Sequence, residues 1–417
     1  MKKFFFYILF VFLLTVYIYS IVFDAVPIST KILLEAVGLF SCLKYLLRDD
    51  YRLKKEYRSI FALIFAIVIW DVITSLLNGG HQYHLVRDMI PTLGSVFGAQ
   101  LLWSYSRPYL RDCNHFLIIV AITIFAESVL SLLMKASPAL YALIDSFLVF
   151  DFGSDTITDI YDLTRVFGIG NAHYFGVLAS CILGVMTAVY MLFQSDKNLT
   201  KALLLMMWFI IAFASFLTAR WSVFIVGLSG LLFLFCLRSQ QTQSKIGIVL
   251  MLLIVGVFVI YFALNSVDSE AQEWAFAYFK DKDSSDHSAD IVVGWWENTR
   301  FDFKTLLIGD AQYTDQRGGY YMHVDVGFFR EIFYGGIIGL LIIIYSHIKI
   351  LKYTYKYNKV KIFKWYLSFL LLGYFAAMAK GNLNMMTFYI LILVFYSGGI
   401  FEKKTSRRNN ITYERAN

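Results

Sequence analysis

The chemistry open to this chain is concentrated in His323, Asp325, Arg330 and Glu331, in the stretch Gly318-Gly-Tyr-Tyr-Met-His323-Val-Asp325 and the apolar segment that follows it. An imidazole exchanges protons near neutral pH, so His323 can take a proton from a hydroxyl or orient it. Asp325 or Glu331 can hold the imidazole's tautomer. Arg330 belongs to a wider set of cations, Arg87, Arg165, Arg220, Arg300 and Arg317, that fall at or near the ends of apolar segments or in polar loops. A guanidinium presents a planar fork of donors that matches phosphate oxygens. Several on one face suit a lipid-linked pyrophosphate, so base and cations together fit group transfer from a phosphate-activated donor to a hydroxyl. For any single arginine the plainer reading is a side chain that snorkels to a headgroup or pairs with a loop acid.

The elements that must position these residues are membrane helices. The chain is 59% hydrophobic, its mean hydropathy is +0.62, and it contains repeated apolar runs of roughly 17 to 25 residues, each able to cross a hydrocarbon layer of about 30 Å as a helix. Spans are expected at 4–23, 31–47, 59–77, 89–106, 115–134, 166–194, 202–218, 222–238, 246–264, 326–346, 365–379 and 385–401. The first apolar run is too long for a signal peptide and lacks a small-x-small cleavage site, so it reads as an uncleaved span. The chain then divides into nine spans over 1–264, interrupted by a medium loop at 135–165 with a short amphipathic helix, a large polar loop over 265–325, three more spans over 326–401 and a basic tail over 402–417.

Orientation follows from the basic residues, which short loops retain on the cytoplasmic side. Arg48 to Arg58, Lys349 to Lys364 and the tail from Lys403 to Arg408 fall on the side of the N-terminus in this map. Both termini are expected in the cytoplasm, and the loops 135–165 and 265–325 outside. The pI of about 9.0 then reports topology, and nucleic acid is not an expected partner. Cys42, Cys113, Cys181 and Cys236 lie within or at the ends of apolar runs without metal-ligand or redox spacing, so neither a disulfide nor a metal is expected.

An ionisable group at membrane depth costs about 2.5 to 3.5 kcal/mol on insertion scales and marks a polar cavity or a partner. Asp71 and Glu127 fall in the outer halves of their spans, and either can pair with Arg330 or serve as a structural ion pair between helices. His173, after Gly170-Asn171-Ala, can donate to a substrate oxygen or cap a helix. The loop aromatics Trp274, Tyr278, Trp295, Trp296, Tyr313, Tyr320 and Tyr321 can stack on sugars or rest at the membrane interface.

Three stretches carry a family resemblance. Arg165-Val-Phe-Gly168-Ile-Gly170-Asn171-Ala-His173-Tyr-Phe-Gly176 is similar to an Arg-x-x-Gly...Asn segment, and Thr218-Ala-Arg220-Trp-Ser222 to a Ser/Thr-x-Arg-Ser/Thr turn. Trp295-Trp-Glu-Asn, Leu306-Leu-Ile-Gly309-Asp310, His323-Val-Asp325 and Arg330-Glu331-Ile-Phe-Tyr-Gly335-Gly336-Ile-Ile-Gly339 follow in the order of a large external loop and its following helix. Together they resemble the O-antigen polymerase and ligase superfamily of integral membrane glycosyltransferases. Ala172 stands where that pattern commonly has Pro, Trp221 follows the second arginine, and the usual Pro before the loop glycine is missing.

The resemblance implies an all-α polytopic fold of about twelve transmembrane helices, GT-C-like, with a large partly helical external loop, in a bacterial inner membrane. It implies a polymerase of undecaprenyl-pyrophosphate-linked repeat units. His323, Asp325 and Glu331 would be catalytic, Arg165, Arg220 and Arg330 would bind pyrophosphate, and Asn171, His173, Arg300 and Arg317 would be secondary candidates. No nucleotide-sugar domain is visible, so the expected enzyme is metal-independent and without cofactor, with the lipid-linked glycan and membrane lipids as partners. Whether a chain-length regulator also binds is left open. The alternatives are a ligase that transfers glycan to lipid A-core, a flippase or other transporter, and a glycan-binding scaffold.

Overall fold

A computed structural model describes residues 2–26, 28–149, 168–169, 175–219, 221–238, 288–315 and 319–404. Within them nearly every element is a helix: α1 (Lys2–Tyr19), α2 (Thr30–Leu46), α3 (Lys55–Asn78), α4 (His84–Ser106), α5 (Cys113–Ala136), α6 (Pro138–Asp145), α7 (Phe175–Gln194), α8 (Asn198–Thr218), α9 (Ser222–Arg238), α10 (Ser288–Asn298), α11 (Phe303–Ile308), α12 (Gly327–Tyr357), α13 (Lys361–Met378) and α14 (Met386–Ser397). A 3-10 turn at Tyr321–His323 and two short strands, β1 (Tyr51–Leu53) and β2 (Phe401–Lys403), complete the described elements.

Helices α3, α5, α8 and α12, and α7 from Val177, are long and apolar enough to cross a membrane. Large apolar side chains point away from the bundle, among them Phe40 at 70% exposure and Leu76 at 74%. A water-facing surface does not carry apolar area on this scale, and a lipid-facing one requires it. The chain is a membrane-embedded helical protein. The expected span 246–264 and most of the loop 265–325 before Ser288 lie outside the described residues.

Three helices differ from expectation at their ends. Helix α1 stops at Tyr19 because Ser20 takes a left-handed φ of 53°, after which Asp24 and Val149 exchange backbone hydrogen bonds with Phe147 and Val22. Helix α12 runs 31 residues, about 46 Å at 1.5 Å per residue, so its basic end projects past the hydrocarbon. There Lys349 donates to the Tyr345 hydroxyl at 3.1 Å, and Lys356 reaches Glu56 of α3 at 2.6 Å. Helix α14 ends at Ser397 with Gly398 and Gly399 at left-handed φ. The chain then pairs β2 antiparallel with β1, Arg52 facing Glu402. In the medium loop, α6 begins as its Ser137-Pro138 start predicts, with the Ser137 hydroxyl accepting from the Leu140 amide.

The core is aromatic, and several of its hydroxyls are satisfied within the protein, as an interior without water favours. Tyr366 of α13 shares a hydrogen bond with Thr187 of α7 at 2.9 Å and stacks on Tyr190. Tyr389 of α14 donates to the Leu370 carbonyl. The loops sort onto two faces. One joins β1, β2, Glu56 and Lys356. The other joins 78–84, 309–315, 319–331 and 380–382, and it holds the expected site.

Candidate active site

The site is built on a break in α12. Gly336 takes φ 67°, ψ −178° inside the helix, which interrupts the i→i−4 ladder and releases carbonyls at membrane depth, where each unpaired group would cost several kcal/mol. All three freed carbonyls are capped. The Phe333 carbonyl accepts from the Asp310 amide at 2.6 Å and the Tyr334 carbonyl from the Ala311 amide at 3.0 Å, while the Gly335 carbonyl accepts from the Trp70 indole of α3 at 2.7 Å. The loop before α12 thus docks by backbone onto the broken helix. Both glycines at the junction are required by space as well as by φ: a Cβ on Gly309 would lie 2.3 Å from the Tyr334 carbonyl oxygen, and one on Gly336 2.3 Å from that of Leu307.

From this anchor the loop passes over the start of α4. Gln82 brackets it, accepting from the Tyr313 amide at 2.6 Å and donating to the Thr314 carbonyl at 2.8 Å. The Tyr313 ring stacks on His84 at 3.4 Å. Its hydroxyl accepts from Asn382 at 2.7 Å, and the same amide group donates to Glu331 at 2.7 Å. Tyr334 accepts from the His84 amide at 2.8 Å and donates to Asp71, whose second oxygen accepts from the Val86 amide at 2.7 Å.

Arg330 occupies the mouth. Its guanidinium lies between two rings, 4.1 Å from the Tyr313 centroid and 3.9 Å from that of Tyr320, a geometry that planar arginine favours. Asp325 bridges Arg330 at 3.3 Å and Lys380 at 3.1 Å, and Lys380 rests over the Trp295 ring at 4.6 Å. Burial raises the Asp325 carboxyl above the usual aspartate range, against the opposing pull of Lys380 and then Arg330. Burial and the neighbouring Asp325 likewise raise the Tyr320 hydroxyl.

Of the expected catalytic residues, His323 is exposed and lies in the 3-10 turn with φ 56°, next to Met322 at φ 55°. Two adjacent non-glycine residues in the left-handed region cost about 1–2 kcal/mol each, so the surrounding loop imposes this turn. The expected support of its ring by Asp325 or Glu331 is corrected: Asp325 is held by Arg330 and Lys380, and Glu331 is buried and bonded to Asn382. Helix α12 is entered through Val326 without a side-chain cap, so His323 does not cap it.

The expected pairing of Arg330 with Asp71 or Glu127 is also corrected, since Asp71 is satisfied by Tyr334 and Val86, and Glu127 accepts from Ser131 at 2.8 Å. Arg300 turns back onto the carbonyls of Glu297 and Thr299 and makes no contact with the Arg330 cluster. Arg165, Arg220, Asn171, His173 and Arg317 lie outside the described residues. Gly168, from the first stretch, packs so that a Cβ there would come 2.6 Å from an oxygen of Glu127, the buried acid of α5.

Sequence reasoning missed Lys380, Asn382, Gln82 and His84. The signal was Lys380 in a short turn between two apolar runs, on the side that the charge bias expects to be poor in lysine and arginine. Below Glu331 a small cavity is lined by Asp88, His347, Tyr374, Asn382 and Asn384, with His347 Nε2 and the Tyr374 hydroxyl buried there without a hydrogen-bond partner among the described residues. It is polar enough to take a single water. Among the described residues no three His, Cys, Asp or Glu side chains are grouped to hold a metal. No protein-family model, curated protein or solved structure matches the chain.

Proposed function

We propose that the chain is an integral membrane glycosyltransferase that polymerises undecaprenyl-pyrophosphate-linked oligosaccharide repeat units at the outer face of a bacterial inner membrane, an O-antigen polymerase with twelve spans in a GT-C-like arrangement and both termini cytoplasmic. The observation that carries this reading is the mouth of the docked loop, where Arg330, stacked between Tyr313 and Tyr320, and Lys380, stacked on Trp295, put phosphate-binding charge beside aromatic faces that suit sugars.

In this reading an acceptor hydroxyl attacks the anomeric carbon of the donor. The bond from that carbon to the pyrophosphate oxygen breaks, and its electron pair leaves with the lipid pyrophosphate. His323, on the water side of the turn, accepts the hydroxyl proton. Arg330, with Arg165 and Arg220 from the two other stretches, stabilises the charge that grows on the leaving group. The activated lipid supplies the driving force. Asp325 serves the cations, and Glu331 supports the floor through Asn382.

A second reading, a lipid-linked glycan flippase, draws on the break at Gly336, because discontinuous helices are common where transporters bind substrate. One experiment separates the readings: purified protein is given lipid-linked repeat unit alone, then with lipid A-core. A product ladder from the first mixture supports the polymerase, product only from the second supports a ligase, and product from neither removes glycosyl transfer.

A further inference from the structure

Arg330, on the first turn of α12, and Lys380, in the turn after α13, reach the mouth from different elements and share a single carboxylate. Asp325 Oδ1 lies 3.3 Å from Arg330 and Oδ2 lies 3.1 Å from Lys380. The three side chains are 9%, 19% and 17% exposed for Arg330, Lys380 and Asp325, so they line an opening and are not sealed in the core. Each cation has its own aromatic bed, Tyr313 and Tyr320 for Arg330 and Trp295 for Lys380. Their hydrogen-bonding capacity exceeds what one carboxylate can use. An arginine has five N–H donors and a lysine three, Asp325 takes one from each, and Arg330 Nε is buried without a partner among the described residues. Glu331, next in the chain, is turned to Asn382. The pair therefore holds surplus donors and one surplus positive charge, in a geometry already spaced by the two oxygens of a single anion.

We propose that Arg330 and Lys380 form one seat for a diphosphate group and that Asp325 is its exchangeable counter-ion, keeping the two cations together between turnovers and swinging away when the diphosphate enters. The proposal rests on the glycosyl-transfer reading only for what the diphosphate is attached to. An internal carboxylate that must be displaced lowers affinity for weak anions, and a diphosphate, with more oxygens and more charge than Asp325, displaces it. The same exchange lets the product lipid leave, because Asp325 competes for the cations as the diphosphate loosens.

The test is calorimetric titration of the full-length protein in detergent with inorganic pyrophosphate. Asp325→Asn should bind it roughly tenfold more tightly, and Lys380→Met roughly tenfold more weakly, the size of effect that one charge-assisted hydrogen bond carries. Lys380→Arg should stay close to the parent protein. Unchanged or weaker binding in Asp325→Asn overturns the counter-ion role, and parent-like binding in Lys380→Met removes Lys380 from the seat. If Asp325→Asn does not fold, the pair Lys380→Met and Asp325→Asn/Lys380→Met decides. The double variant has one charge of each sign removed, and tighter pyrophosphate binding in it than in Lys380→Met supports the exchange, whereas equal or weaker binding overturns it. These outcomes do not depend on glycan synthesis: absence of a product ladder with pyrophosphate binding intact refutes the polymerase and leaves the seat standing.

Discussion

The backbone amide of Asp310, in the loop before α12, donates to the carbonyl of Phe333, in the membrane helix α12, at 2.6 Å. That bond exists because Gly336 breaks the helix and frees the carbonyl. Loop and break are one structure, so Gly336→Ala should damage the site without touching a side chain in it. A non-glycine residue at this φ costs about 1–2 kcal/mol, and its Cβ would collide with Leu307. The expected result is a lower unfolding temperature in detergent and protease nicking of the loop 303–315. Parent-like stability and protection would show that the glycine is incidental.

The arginines should not tolerate lysine. Arg330→Lys keeps the charge and loses the planar stack between Tyr313 and Tyr320, an interaction worth about 0.5–2 kcal/mol. Arg165→Lys and Arg220→Lys likewise keep charge and lose the fork. Polymer length and amount, measured at matched protein levels in membranes, should fall in all three variants. Full activity in all three would mean that charge alone suffices and that phosphate is not gripped by forked donors.

Tyr334 joins three elements through one hydroxyl, donating to Asp71 and accepting from the His84 amide. Tyr334→Phe takes the acceptor from the His84 amide and the donor from one Asp71 oxygen, leaving Asp71 only the Val86 amide, which costs about 1–3 kcal/mol. Asp71→Asn can still accept and should cost less. Thermal unfolding of the two purified variants orders them, and the reverse order would contradict the network as drawn.

Much of the fold is legible because a membrane leaves a chain few choices. The apolar runs marked where α3, α5, α8 and α12 lie, and the charge bias put residues 48–58 on the same side as the start of the tail, where β1 pairs with β2. Arg330 was visible as charge in the wrong solvent. Its neighbours Lys380 and Asn382 were not, since they sit in a turn whose position under the loop depends on how α13 and α14 pack against α12. The left-handed turn at His323 was equally hidden, because neither Met322 nor His323 favours that conformation locally. The topology itself is open to a direct check: reporter fusions after Asn417 and within Asp281 to His287 should report opposite sides of the membrane, and reports from the same side would displace the site from the outer face.

In the proposed reaction this mouth transfers glycosyl groups with His323 as the base. The deciding quantity is the rate of ladder formation from lipid-linked repeat unit, compared between the parent protein and His323→Ala under conditions where donor binding is measured in parallel. A positioned base contributes about 10²- to 10⁴-fold, so the variant should lose about that much rate while still binding donor. A parent-like ladder in His323→Ala, or no ladder from the parent protein, contradicts that assignment.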